Sequence, residues 1–215
     1  MGATGPAKTR GEILETAKTL LRRYGHDKMT IVDIARALGM SHANVYRFFR
    51  NKSEILDAII DEWLSKLESF VEDVAARPVS ASARIEAVVL ELHRRRKQKL
   101  LKDAAFFETY RQVVEVRPDA ASKRREKIRK VFKRLIEEGM RSGEFAAVDA
   151  SRAATVLKDA TSLFLHPFLI PTTLNEPTEF RARNVVRFVL AGISSRRLTE
   201  NRGARREAAG LVNRL

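Results

Sequence analysis

Cysteine is absent from this chain of 215 residues. That excludes disulfide staples, thiolate catalysis and cysteine-ligated zinc or iron–sulfur centres. Proline is scarce, with six residues at positions 6, 78, 118, 167, 171 and 177. Because proline breaks helices, its rarity leaves long stretches in which they can run. The strict apolar–polar alternation of a half-buried strand is missing. No apolar run approaches the ~18 residues needed to cross a bilayer. Residues Met1 to Lys8 lack the apolar stretch of a signal peptide. The expectation is a soluble, cytoplasmic protein with no membrane partner. There is no Gly-x-Ser-x-Gly, no glycine-rich phosphate loop and there are four histidines. This pattern suggests no enzyme and no required cofactor.

What the chain does have is positive charge. Lysine and arginine exceed aspartate and glutamate by +14, and the isoelectric point is about 10.5. Such an excess points to a polyanion as partner. Apolar residues at 44% and charged residues at 32% otherwise describe a folded chain rather than a disordered one. Helical spacing predicts an all-α protein of about nine helices.

The first predicted helix, about Thr9 to Tyr24, carries an apolar stripe of Ile13, Leu14, Ala17, Leu20, Leu21 and Tyr24, and Gly25 stops it. The second starts at Thr30 with Asp33 three residues on, a capping-box-like start, and ends at Gly39. The third uses Ser41 as its N-cap and runs to about Phe48. The fourth starts at Asn51 with Glu54 and stops before Pro78. The remaining predicted helices cover about 82–98, 102–116, 118–141, 149–165 and 178–197. The division expected is a tail over 1–8, a helix-turn-helix domain over 9–54 with the fourth helix as linker to about 77, a second helical domain over 78–197, and a basic tail over 198–215. Both tails are expected to be disordered.

The second and third predicted helices, joined at Gly39-Met-Ser41, form a helix-turn-helix pattern. Ile34, Ala35, Leu38, Val45 and Phe49 are spaced to pack inward. That leaves His42, Asn44, Tyr46 and Arg47 facing out, with Ser41 at the head of their helix. Asn44 can bond adenine through N6 and N7, and Arg47 can bond guanine through O6 and N7. Tyr46 suits a phosphate. Thr30, with the first free amides of its helix, can hold another, and Lys52 a third. Two further basic runs, 94–99 and 123–130, read as solvated helix faces.

The stretch Thr30-Ile-Val-Asp-Ile-Ala-Arg-Ala-Leu-Gly-Met-Ser-His-Ala-Asn-Val-Tyr-Arg-Phe-Phe-Arg-Asn-Lys-Ser-Glu-Ile55 resembles the DNA-binding signature of the tetracycline-repressor-like (TetR) family. The match covers about residues 9 to 56 and includes Tyr46, Phe49 and Lys52. Ala43 stands where many members carry glycine. The resemblance implies a homodimeric repressor of double-stranded DNA, with a C-terminal ligand-binding and dimerisation domain. It also implies that Thr30, Tyr46 and Lys52 meet phosphates while the third helix lies in the major groove. Release from a palindromic operator by an unidentified small-molecule effector is the expected mechanism. The fourth helix would act as lever. The alternative is a constitutive, non-specific or architectural DNA binder without effector.

The regulatory half offers softer expectations. The helix over 149–165 is apolar nearly all round, and the one over 178–197 carries two apolar faces. That surplus suggests a subunit interface formed by Leu157, Phe164, Val186, Phe188, Val189 and Gly192. Phe106, Phe107 and Tyr110 either line a ligand pocket or fill the core. His93, Asp159 and His166 either converge, to anchor a polar ligand or a divalent metal, or are ordinary core and surface residues.

Overall fold

In the computed structural model, which describes residues 9–194, the helix signals act where the sequence places them. Both tails, 1–8 and 198–215, lie outside the described residues, as does the expected extension of the last helix to 197. Helices α1 (Arg10–Lys28), α2 (Ile31–Leu38), α3 (His42–Tyr46) and α4 (Lys52–Ala75) come first. They are followed by α5 (Ala81–Lys102), α6 (Ala104–Val116), α7 (Pro118–Arg141), α8 (Ala150–Ala160), α9 (Ser162–Leu165) and α10 (Thr178–Gly192). A short 3₁₀ turn, Ile170–Thr173, precedes α10. No strand occurs among the described residues, only an isolated bridge between Phe145 and Ser194.

The chain divides into two compact units, and the boundary differs from the expected one. The first unit takes the chain up to Leu67 together with Gln98–Ala120. The second takes Glu68–Lys97 and the chain from Ala121 onward. Helix α6, expected in the C-terminal domain, therefore belongs with the N-terminal helices. The reason is packing: α1 rests on α6 as well as on α2.

In the first unit, Ile13, Ala17, Leu21, Ile34, Val45, Phe49, Ile59 and Phe107 are buried. Each of the larger side chains, Ala17 aside, contributes roughly 1.5–3 kcal/mol on removal from water. Trp63 meets Phe106 and Tyr110 edge-on, at ring separations of 5.4 and 5.2 Å. Asp103 caps α6 through its bond from the Phe106 amide, and its other oxygen accepts from Arg22 and Lys99. Tyr24, expected in the buried stripe, is exposed, because the chain kinks at Gly25 with φ of 77° and the stripe ends one turn earlier.

In the second unit, Ile85, Val88, Val89, Leu92, Phe132, Leu135, Leu157, Phe164 and Val186 are buried. The expected single helix over 149–165 is broken at Thr161, whose buried hydroxyl donates to the Leu157 carbonyl at 2.8 Å. Nor is that segment buried on every side: Val156 is half exposed. Helix α10 is tied to α5 by an alternating series of charges. Arg187 and Arg183 both reach Glu86 at 2.8 and 3.0 Å, and Arg183 also reaches Glu179 at 3.6 Å. Arg94 then bonds Glu179 at 2.9 Å and Glu91 at 3.0 Å. The basic runs read as solvated faces thus act partly as tethers. Arg124 and Lys127 both pair with Glu68 at 2.7 Å, and Arg95 lies over the Phe70 ring at 3.6 Å.

Candidate nucleic-acid interface

The first unit presents α3 on a rigid corner. Thr30 and Asp33 form a reciprocal capping box at the start of α2. The Asp33 amide donates to the Thr30 hydroxyl oxygen at 3.1 Å, while the Thr30 amide and hydroxyl donate to the Asp33 carboxylate at 3.1 and 2.6 Å. The Thr30 hydroxyl bond, more than any other contact, holds the Asp33 carboxyl below its usual range. Helix α2 ends at Gly39, whose φ of 63° is a left-handed conformation that glycine adopts without cost. Ser41 then caps α3 by accepting from the Asn44 amide at 3.3 Å.

Under this corner, Val45 and Phe49 are fully buried, and the Arg10 guanidinium covers Phe49 at 4.6 Å from the ring centre. With those two residues fixing the helix roll, Ser41, His42, Asn44, Tyr46 and Arg47 are all exposed. The face therefore carries hydroxyl, imidazole, amide, phenol and guanidinium groups on one short helix, the donors and acceptors that read base edges and phosphates.

Two expected phosphate contacts are shaped differently from a free side chain. Thr30 already gives its hydroxyl proton to Asp33, so the open donors at this helix end are the unbonded amides of Ile31 and Val32. Lys52 donates to the carbonyls of His26 and Asp27, the segment after the Gly25 kink. Two of its three N–H donors are thus engaged and one is left for a ligand. Sequence reasoning did not single out Met29, which is fully buried between α1 and α2. A methionine in a polar stretch gives no period to read. It also missed Arg10, whose stacking on Phe49 depends on a contact 39 residues away in sequence.

The regulatory candidates separate. Phe106, Phe107 and Tyr110 are buried in the first unit against one another and Trp63, and none lines the groove of about 760 Å³ found in that unit. His93 is buried in the second unit with both ring nitrogens bonded, Nδ1 to the Phe164 carbonyl at 3.0 Å and Nε2 to the Thr178 hydroxyl at 2.7 Å. A carbonyl can only accept, so Nδ1 carries the proton and Nε2 accepts from Thr178. Burial, foremost, lowers the His93 pKa and keeps the ring neutral. Asp159 is exposed and paired with Lys158 at 2.9 Å. His166 is half-buried and accepts from the Phe168 amide. The expected metal set of His93, Asp159 and His166 is therefore not assembled, and no group of three potential ligands occurs among the described residues. Histidine saturation and the outward turn of Asp159 are the reasons.

The expected interface set also splits. Leu157, Phe164 and Val186 are buried within the chain itself and serve its core. Val189 is half-buried, while Phe188 is 80% exposed and Gly192 is exposed. Val156, not singled out from the sequence, is exposed on α8, which packs beside α10. A groove of about 700 Å³ lies along α5 and α10, walled by Glu86, Arg94, Arg183 and Arg187 and floored by Ala87 and Leu190. None of the six expected pocket residues lines it.

Known proteins complete the picture. A family profile described as bacterial regulatory proteins, tetR family, matches residues 13–59, and one described as tetracyclin repressor-like, C-terminal domain, matches 81–186. The HTH-type transcriptional regulator YfiR of Bacillus subtilis is 32% identical over 165 residues, which cover 70% of this chain and 74% of that protein. This chain belongs to the TetR family. The TetR family comprises DNA-binding transcriptional regulators. A second relative, the HTH-type transcriptional repressor KstR2 of Rhodococcus jostii, is 25% identical over 73% of this chain and 78% of its own length. The fold matches a TetR/AcrR regulator from Thermobifida fusca with a TM-score of 0.62, at 23% identity over 85% of this chain and 97% of the other. It also matches SmeT, the repressor of the Stenotrophomonas maltophilia multidrug efflux pump SmeDEF, with a TM-score of 0.61, at 19% identity over 87% and 91% of the two chains.

Proposed function

We propose that this TetR-family protein is a homodimeric repressor that leaves a palindromic operator when a small-molecule effector binds its C-terminal half. The observation that carries the reading is the exposed set Ser41, His42, Asn44, Tyr46 and Arg47, held outward by the buried Val45 and Phe49. Asn44 and Arg47 are the base readers, and Tyr46, the open amides at Thr30 and the remaining donor of Lys52 position the backbone. A major-groove helix on each of two subunits reads half-sites about one helical turn apart. Exposed Val156 and Phe188, on neighbouring helices of the second unit, support pairing of subunits there. Helix α4 supplies residues to both units and is the lever that transmits effector binding. Membership of a family of transcriptional regulators supports a non-enzymatic role in the cytoplasm.

The test is selection of bound duplexes from a random DNA pool by the purified protein at near-physiological salt. One palindromic or pseudo-palindromic motif is expected. Retention that yields no motif and collapses as salt rises would instead give the charge-driven, architectural binder that the excess of +14 also allows.

A further inference from the structure

Many arginines of the second unit reach a carboxylate. Arg84 meets Glu138, Arg94 meets Glu179, Arg124 meets Glu68, and Arg183 and Arg187 meet Glu86. Arg96 does not. It lies on α5 and donates through Nη1 to the carbonyl of Leu165, the last residue of α9. Its Nε is shut away from solvent and bonds nothing. A buried, unmatched N–H of a charged group costs stability, so its persistence calls for a partner.

The next residue after that carbonyl is His166. Its Nδ1 accepts from the Phe168 amide at 3.4 Å, so the neutral ring carries its proton on Nε2, which makes no bond among the described residues. The ring is half-buried, and the charges of Arg125 and Arg96 both bear on it. Burial first, and those two guanidinium groups second, lower its pKa. Arg125, on α7, is exposed and forms no ion pair among the described residues. Beside the three lie the Phe168 ring, 5.7 Å from His166, and the partly exposed Leu169.

We infer that Arg96, Arg125 and His166 form a subsite for an oxyanion, a carboxylate or phosphate group carried by a small molecule whose apolar part lies toward Phe168 and Leu169. Three elements bring only donors to this place: the Arg96 Nε and spare guanidinium edge, the Arg125 fork and the His166 Nε2–H. Among the described residues no aspartate or glutamate pairs with Arg96 or Arg125. A carboxylate or phosphate accepts two or more such bonds at once, and Arg recognises either with both charge and geometry. The subsite rests on the effector reading only for what the bound anion then does to DNA affinity.

The experiment follows the four imidazoles of the full-length protein by NMR, with the His166 signal assigned through its loss in His166→Gln. Inorganic phosphate, sodium acetate and sodium chloride are titrated at matched ionic strength. A saturable shift confined to His166 with phosphate, acetate or both, and not with chloride, is expected, and which of them acts names the oxyanion. Arg125→Gln should weaken it about tenfold, the loss of one charge-assisted contact. Arg125 is exposed, so this variant keeps the fold even where Arg96→Gln does not. No shift, an equal shift with chloride, or an unchanged affinity in Arg125→Gln overturns the subsite. DNA binding measured in parallel separates the two ideas: saturable anion binding with no anionic compound ever releasing operator sinks the effector reading and leaves the subsite standing.

Discussion

Helices α2 and α10 reach stability by opposite routes. Helix α2 is eight residues long, opens on the Thr30–Asp33 capping box and closes on left-handed Gly39. Helix α10 is fifteen residues long and starts after Pro177 with no side-chain cap. Its first residue, Thr178, is instead pinned by buried His93, and its flank by Glu86 and Arg94 of α5. A two-turn helix has too little packing surface to survive frayed ends, so its caps are written beside it. A longer helix can leave its ends to distant partners. The helix-turn-helix corner is thus locally specified, and the second unit is specified by contacts far apart in sequence.

The comparison can be broken first at the centre of each unit. Phe49→Ala should cost about 3–5 kcal/mol, a large cavity beneath α3, and abolish DNA binding together with cooperative unfolding of the first unit. Urea unfolding followed by circular dichroism measures it, and a loss below about 1 kcal/mol would mean that Phe49 does not set the roll of α3. Gly139→Ala tests the second unit. An added Cβ would lie 2.2 Å from the Phe145 ring, so a loss of about 2–3 kcal/mol is expected, with operator binding by residual folded protein unchanged. An unchanged melting temperature would show that the turn after α7 yields freely.

Thr30→Ala removes half of the capping box and should cost about 1 kcal/mol. Because the Ile31 and Val32 amides remain, DNA affinity at matched folded fraction should fall less than in Arg47→Ala, as filter binding would report. Equal losses would return Thr30 to a direct phosphate role.

The smallest effect lies in pH. Burial pulls the Asp103 pKa upward, but the bonds from Lys99 and Arg22 outweigh it and hold the carboxyl below its ordinary value of about 3.8. A carboxyl depressed in the folded state stabilises above its unfolded pKa, and that contribution is lost as pH falls through the folded one. The stability gap between the wild type and Asp103→Asn should therefore be full near neutrality and shrink below pH about 4. A gap independent of pH would refute the depressed carboxyl.

Much of the N-terminal corner was legible residue by residue. Thr30, Gly39 and Ser41 announce helix ends through their own chemistry, and Val45 and Phe49 fall on the inner face by spacing alone. The second unit was legible as helices and not as a site. Leu157, Phe164 and Val186 read as surplus apolar surface because periodicity records hydrophobicity and not what covers it. Histidine and aspartate at His93, Asp159 and His166 could be lined up on paper, yet Thr161 breaks the helix between Asp159 and His166, and Asp159 is exposed on α8.

By itself the sequence determined the all-helical class, the helix-turn-helix and its outward polar set, since caps, turn glycine and period act within a few residues. Only the tertiary structure decided that α6 joins the first unit, that Arg10 stacks on Phe49, that α10 is fastened by charges on α5, and that the buried Nε of Arg96 has no partner among the described residues. Each of these depends on a partner dozens of residues away, and pairing at that distance is chosen by how the whole core closes.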